Sequence, residues 1–326
     1  MHSEQDTYPG FGQEAPITSI QPGGGWGMRV ELFWGRFRRW VLRRFFPGYV
    51  RAQLNRRQGT CKLLKSEEVI DERDLKYYTT LTGYYFTGID PFAWRRRLPL
   101  ASWGMAEVVV FSLAALLASG LVGWLAWLGA PAWVVFLLSL AILLFWLEIL
   151  WFFRHPQRVI PDHPLAILSP ADGKIVELAE VEAEGFPGGR AFRVGIFLNI
   201  FNVHVNRAPA KARVKQLRYY PGRMLNALNP RSARVNEQLW IDLEHQPSGM
   251  PMRVTQISGA LARRIVCELK VGQQLQAGYA FGMIKLGSRT ELYLPAKTPF
   301  TLQVKVGDTV QGGATVLMQL QQSRYE

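Results

Sequence analysis

Apolar residues are spread very unevenly along this chain. From Met105 to Phe153 they form an almost unbroken run whose only charged members, Glu107 and Glu148, stand near its ends. A bilayer crossing takes about 20 apolar residues to traverse a hydrocarbon core of roughly 30 Å. The run therefore holds two, at about 105–128 and 132–153, with Gly129-Ala130-Pro131 as the turn between them. Trp103, Trp124, Trp127, Trp133, Trp146 and Trp151 fall near the ends of these spans, where amphipathic rings favour the membrane interface. The competing reading is a helical hairpin buried in a soluble core, which asks the remaining polar sequence to wrap both helices completely.

The pattern changes on either side of this transmembrane hairpin (101–154). Ahead of it, Val30, Phe33, Phe37, Trp40, Val41 and Phe45 recur at helical spacing among Arg29, Arg36, Arg38, Arg39, Arg43 and Arg44. This predicts a basic amphipathic helix in an interfacial segment spanning 26–100. The part from 71 to 97 carries no decisive pattern, and residues 1–25, rich in Gly, Pro and polar side chains, read as a disordered tail. Beyond the hairpin, short β-branched runs separated by Gly, Pro and Asp predict strands at 174–181, 192–197, 212–219, 238–243, 252–257, 264–269, 290–294 and 301–306, hence a mainly β domain over 155–326. Within it LKVGQQLQAG (269–278) and VKVGDTVQGG (304–313) repeat Lys-Val-Gly, an apolar residue, Gln and Gly at matching offsets. The repeat resembles the hammerhead turns of biotinyl and lipoyl carrier domains, which implies a barrel-like β sandwich. Neither copy has the modified lysine in its Met-Lys setting.

Charge sharpens this picture. The 326 residues carry a net charge of +13, concentrated in the first hundred. No nucleic-acid recognition motif accompanies the basic stretch and a membrane segment adjoins it, so an anionic phospholipid bilayer is the expected partner and nucleic acid is not. Arg95, Arg96 and Arg97 precede the spans, Arg154 and Arg158 follow them, and the turn between is uncharged. That asymmetry places both ends on the cytoplasmic side of the cell (inner) membrane. The first 25 residues lack the apolar core of a cleavable signal. Cys61 and Cys267 lie far apart, and the five histidines and two cysteines never cluster at ligand spacing, so no metal is expected.

Three stretches combine a reactive side chain with tight-turn residues: SPADGK (169–174), FLNIFNVHVNRAP (197–209) and KLGSRTELYLP (285–295). Taken singly, each has a structural reading: Asp-Gly bounded by Pro is a turn, a lone His in a strand is usually a satisfied core residue, and Gly-Ser is another turn. Together, and with FFRHPQRVIP (152–161) ahead of them, they resemble the phosphatidylserine decarboxylase family over about residues 152–326. The FNVHVNR and GSR forms are similar to that family's shorter branch, in which Asn206 stands where longer members have a second histidine and Arg289 where they have Thr.

The resemblance implies decarboxylation of phosphatidylserine to phosphatidylethanolamine through a Schiff base to a pyruvoyl cofactor. Family chemistry makes that group when the serine of the Gly-Ser pair attacks the preceding carbonyl, here Ser288 on Gly287, giving a large chain (1–287) and a small chain (288–326). It assigns His204 and Asp172 to the base and its orienting carboxylate, and makes Asn206, Arg207, Lys285 and Arg289 candidates for substrate contact. Two alternatives stay open: a pyruvoyl decarboxylase of another amine-bearing substrate, and a membrane-tethered carrier or binding module that never cleaves itself. Oligomeric state is open as well.

Overall fold

The computed structural model describes residues 25–60, 68–78, 83–223, 225, 232–259, 264–285 and 287–321. The expected tail, Gly25 apart, lies outside them, as do Cys61 and Leu286.

The N-terminal segment folds as α1 (Gly25–Phe45) and α2 (Pro47–Arg56), a small pair of strands β1 (Arg57–Gln58) and β2 (Tyr85–Phe86), and a short α3 (Glu72–Tyr78). Helix α1 is inverted relative to an ordinary surface helix. Gly27, Glu31, Gly35 and Arg39 face inward, four residues apart, while Phe33, Phe37, Trp40 and Phe45 are exposed. Small residues allow the close approach, and buried carboxylates compensate part of the charge. Arg38 and Arg39 bond Asp74, and Arg38 also bonds Asp71 at 2.9 Å. These two arginines therefore point into the protein and not among lipid headgroups, a correction to the amphipathic pattern read from spacing alone.

Two helices, α4 (Met105–Trp127) and α5 (Ala132–Phe152), form an antiparallel hairpin closed by Gly129 at φ +86°. Both are long and apolar enough to cross a membrane. Trp146 Nε1 donates to Ser112 Oγ at 2.9 Å between them, and Leu116, Leu117, Phe136 and Leu144 point outward. An apolar surface of that extent fits membrane association. Trp103 is an exception to the expected aromatic belt: it is buried and donates Nε1 to Glu268 Oε2 at 3.0 Å.

The β domain is built twice over. One half comprises β3 (Ala166–Leu168), β4 (Gly173–Glu182) and β5 (Arg190–Leu198), completed after an insertion by β13 (Ser288–Pro295), β14 (Phe300–Leu302), β15 (Thr309–Val310) and β16 (Val316–Leu320). The insertion is the other half: β6 (Val205–Arg207), β7 (Ala212–Tyr220), β8 (Gln238–His245), β9 (Pro251–Ile257), β10 (Arg264–Cys267), β11 (Gln274–Leu275) and β12 (Ala280–Lys285). Their strands join in one curled eight-stranded antiparallel sheet, β11-β7-β8-β9-β13-β5-β4-β15, which reads symmetrically outward from the β9–β13 seam. Two flanking sheets, β10-β12-β6 and β14-β16-β3, repeat the correspondence. Even the bulges match, at Ile175/Glu177 in one half and Val214/Gln216 in the other. The repeated decapeptides cap opposite edges of the large sheet: Gly272 N donates to Val214 O and Gly307 N to Ile175 O, both at 2.8 Å.

Alternating apolar residues of both halves, among them Ile175, Val194, Ile196, Val214, Ile241, Val254, Leu292 and Leu294, fill one core. A second cluster, with Trp103, Phe152, Phe153, Val203, Val205, Val266 and Met283, joins the base of the hairpin to β6, β10 and β12.

Candidate active site

The chain crosses between the two halves twice, from β5 to β6 through 199–204 and from β12, which ends at Lys285, to β13, which begins at Ser288. Leu198 is paired with Ser288 and Val205 with Met283, so the crossings run side by side. Ile284 N donates to the His204 carbonyl at 3.3 Å. Pairing alone thus sets the segments that carry His204 and Ser288, far apart in sequence, alongside each other.

His204 is fully buried with its ring against Phe152, centroids 4.4 Å apart. Its Nδ1 lies 3.0 Å from the Asn202 carbonyl. A carbonyl only accepts, so Nδ1 carries the proton and Nε2 is left as a bare acceptor. Burial pushes the imidazole pKa down to about 4, with the Asn202 carbonyl opposing and Arg154 assisting. The ring is therefore neutral near pH 7 and able to take a proton at Nε2. That atom and Ser288 Oγ are both buried without a hydrogen-bond partner among the described residues. An orphaned buried polar atom costs free energy, and here two of them, on a hydroxyl and an imidazole, lie at adjoining crossings. Gly287 has φ +65°, a region that favours glycine, so the bond preceding Ser288 sits in a turn most side chains would strain.

Period-two alternation puts Ser288 and Thr290 on one face of β13 and Arg289 on the other. On the serine's face, Asn206 is a structural tie: its Nδ2 donates to Thr290 Oγ1 at 3.0 Å, and its Oδ1 accepts from Gln256 Nε2 at 2.8 Å. On the opposite face, Arg289 bonds Glu177 and Glu291. Gly195 leaves the room for it, since a Cβ there would lie 2.5 Å from Arg289 Nη2. Arg289 is thus not brought to the serine. Lys285 is likewise occupied, buried between Glu31 and Glu107.

Asp172 accepts from Gly312 N at 2.8 Å and from Arg158 Nη2 at 2.6 Å. Burial raises its pKa while these bonds oppose the rise. It makes no hydrogen bond to His204, whose orienting partner is the Asn202 carbonyl. Asp172 instead lies in a group of guanidinium ions. Arg154 donates to the carbonyls of Trp151 and Phe201, Arg158 also to Gln311 Oε1, and Arg207 to the carbonyls of Gly278 and Pro156. The excess of positive charge registers at His155, whose pKa falls to about 4 through burial, then Arg207 and Arg158. Sequence spacing had marked Arg154 and Arg158 only as flanking charges of the hairpin. Their place in the RHPQR stretch (154–158), within the FFRHPQRVIP run, was the available signal.

The fold is thus a β scaffold with an unpartnered buried serine after a positive-φ glycine and a buried histidine on the adjoining crossing. The family model described as phosphatidylserine decarboxylase matches residues 147–318. A phosphatidylserine decarboxylase proenzyme of Rhodopirellula baltica is 42% identical over 250 residues, covering 76% of this chain and 100% of that protein. Proenzymes of the same name from Desulfotalea psychrophila (44% over 171 residues, 52% of this chain and 78% of that one) and Chlorobaculum parvum (45% over 180 residues, 55% and 82%) are also similar. The chain belongs to the phosphatidylserine decarboxylase family.

Proposed function

We propose that this chain is a self-cleaving precursor that matures into a membrane-bound phosphatidylserine decarboxylase. The observation that carries the proposal is the pair of orphaned atoms, Ser288 Oγ and His204 Nε2. His204 Nε2 takes the serine proton as Oγ attacks the Gly287 carbonyl. The amide nitrogen of residue 288 leaves protonated, and an ester joins the two residues. Loss of the α proton of residue 288 then expels the Gly287 carboxylate, breaking the Cβ–Oγ bond and leaving a Cα=Cβ double bond. Water then replaces the nitrogen, releasing ammonia and leaving a pyruvoyl group at position 288. A ketone there supplies the electron sink for charge left on the substrate's α carbon when carbon dioxide departs. The same histidine is the candidate to protonate that carbon. Asp172, bonded to Arg158, organises the guanidinium group rather than the imidazole. Arg154, Arg158 and Arg207 together suit a phosphate diester and a carboxylate held at the bilayer surface.

The outward aromatic face of α1 supports an interfacial position for that helix, and the exposed apolar hairpin supports a two-pass anchor with the β domain on the cytoplasmic side. The duplicated turns at Gly272–Gly278 and Gly307–Gly313 support a barrel-like sandwich with hammerhead-type turns, serving as scaffold and not as a swinging arm.

Intact mass under denaturing conditions tests the reading. The parent chain should give a fragment of residues 288–326, lighter by one ammonia than the same peptide with an N-terminal serine, and Ser288→Ala should give a single full-length mass. Carbon dioxide release from phosphatidylserine vesicles should follow the fragment. A parent chain that stays intact would overturn the proposal in favour of the binding-module alternative, and preference for a soluble amino acid would overturn the lipid assignment.

A further inference from the structure

Four charged side chains meet where the N-terminal segment and the membrane hairpin touch the β domain. Lys285 Nζ bonds the carboxylates of Glu31 and Glu107 and the Trp103 carbonyl at 3.1 Å. Glu31 also accepts from Arg264 Nη2 at 3.2 Å. Each of the four side chains is at most 3% exposed. Among the described residues two cations stand against two carboxylates, a pairing that burial at this depth favours. The halves of the balance have different origins. Glu31 on α1 and Glu107 on α4 lie outside the segment matched by the family model, whereas Arg264 and Lys285 lie inside it.

Lys285 ends β12, two residues ahead of Gly287. No described atom outside its chain neighbours lies within 4 Å of where a Gly287 Cβ would be, so that side of the turn is open. It is flanked by the β13 ladder after it and the Lys285 ammonium before it. An ammonium deprived of a carboxylate in a buried site moves toward water or another partner, and the end of β12 would move with it.

Resting on the self-cleavage reading above, we propose that Glu31 is a positioning residue for maturation: through Lys285 it fixes the angle at which the Gly287 carbonyl is presented to Ser288. The N-terminal segment is then part of the processing machinery as well as an anchor. Once the bond is cut the restraint has no further chemical task, so its loss slows maturation and leaves turnover alone.

The test follows cleavage of freshly translated full-length chain in nanodiscs by intact mass. Glu31→Gln should slow cleavage at least tenfold, while the matured fraction turns over phosphatidylserine at the parent rate per pyruvoyl group. Arg39→Gln, which loosens α1 at its Asp74 contact, should cleave normally. Parent-like cleavage in Glu31→Gln overturns the proposal. So does equal slowing in Arg39→Gln, or reduced turnover in the matured fraction, because either indicates a general structural role. Should Glu31→Gln fail to fold, Lys285→Gln breaks the same link with α1 untouched, and parent-like cleavage there is equally decisive against it. A parent chain that never cleaves sinks the decarboxylase reading itself, whereas a cleaving parent with an indifferent Glu31→Gln sinks only this inference.

Discussion

Protonating His204 in the folded chain should be unusually hard. The fall from 6.5 to about 4 corresponds to about 3 kcal/mol against the charged form, at 1.36 kcal/mol per unit. The Ser288→Ala chain cannot process and so survives a titration. With 15N-labelled histidine in nanodiscs, its His204 resonances, identified by their absence in a His204→Gln companion, should report the Nδ1–H neutral tautomer at pH 7 and no titration until near pH 4. The linkage has a definite sign. The unfolded chain takes this proton near 6.5 and the folded chain only near 4, so between those values the unfolded state binds more protons. Stability is therefore full above about 6.5 and declines as pH falls through that window, with His155, also lowered to about 4, adding to the slope. Self-cleavage should in turn be insensitive to pH from 8 down to roughly 5.5. A midpoint above 6, or an Nε2–H tautomer, would refute the assignment of Nε2 as the base.

Two further outcomes follow from the site. Asn206→Ala removes the shorter of the two bonds of Gln256 Nε2 and the amide partner of Thr290 Oγ1 and should destabilise the β domain by about 1–3 kcal/mol, measured by denaturant unfolding in the Ser288→Ala background. An unchanged midpoint would mean the tie is dispensable. Arg158→Gln removes one cation of the guanidinium group and the ion pair to Asp172. It should raise KM for phosphatidylserine about tenfold, equivalent to about 1.4 kcal/mol, with a smaller effect on kcat. Initial rates against surface mole fraction in inert lipid decide this, and a fall confined to kcat would remove the headgroup role.

Much of the β domain was legible because its strands alternate or carry β-branched runs: 212–219 and 252–257 lie within β7 and β9 almost residue for residue. Strands such as β3, β6 and β16 were missed since they are short and buried on both faces, leaving no alternation to read. The run 301–306 was shortened to β14 because Gln303 bonds back to Leu317 and the repeat's turn begins at Lys305. The decapeptide repeat marked two matching turns, but the duplication of the halves lies in pairing and bulge positions, which sequence does not display. In the candidate site, Ser288 and His204 were singled out by motif, while Lys285 and Arg289 were chosen by closeness in sequence. Distance along a strand ignores which face a side chain takes, and no local pattern could foretell that Glu31, 254 residues away, would claim Lys285.

The symmetric sheet gives the proposed cut an unusual setting. The two halves are threaded together by just two backbone crossings; severing the one at Gly287 leaves the other, which carries His204, as their sole covalent strap. The released segment is not free to go. Its β13 is paired with β5 on one side and β9 on the other, β15 with β4, and β16 with β3. Maturation on this plan manufactures a new chain terminus in the interior of a protein, already clasped by the sheet around it, and the electrophile is borne on an end that never has to find its way to the site.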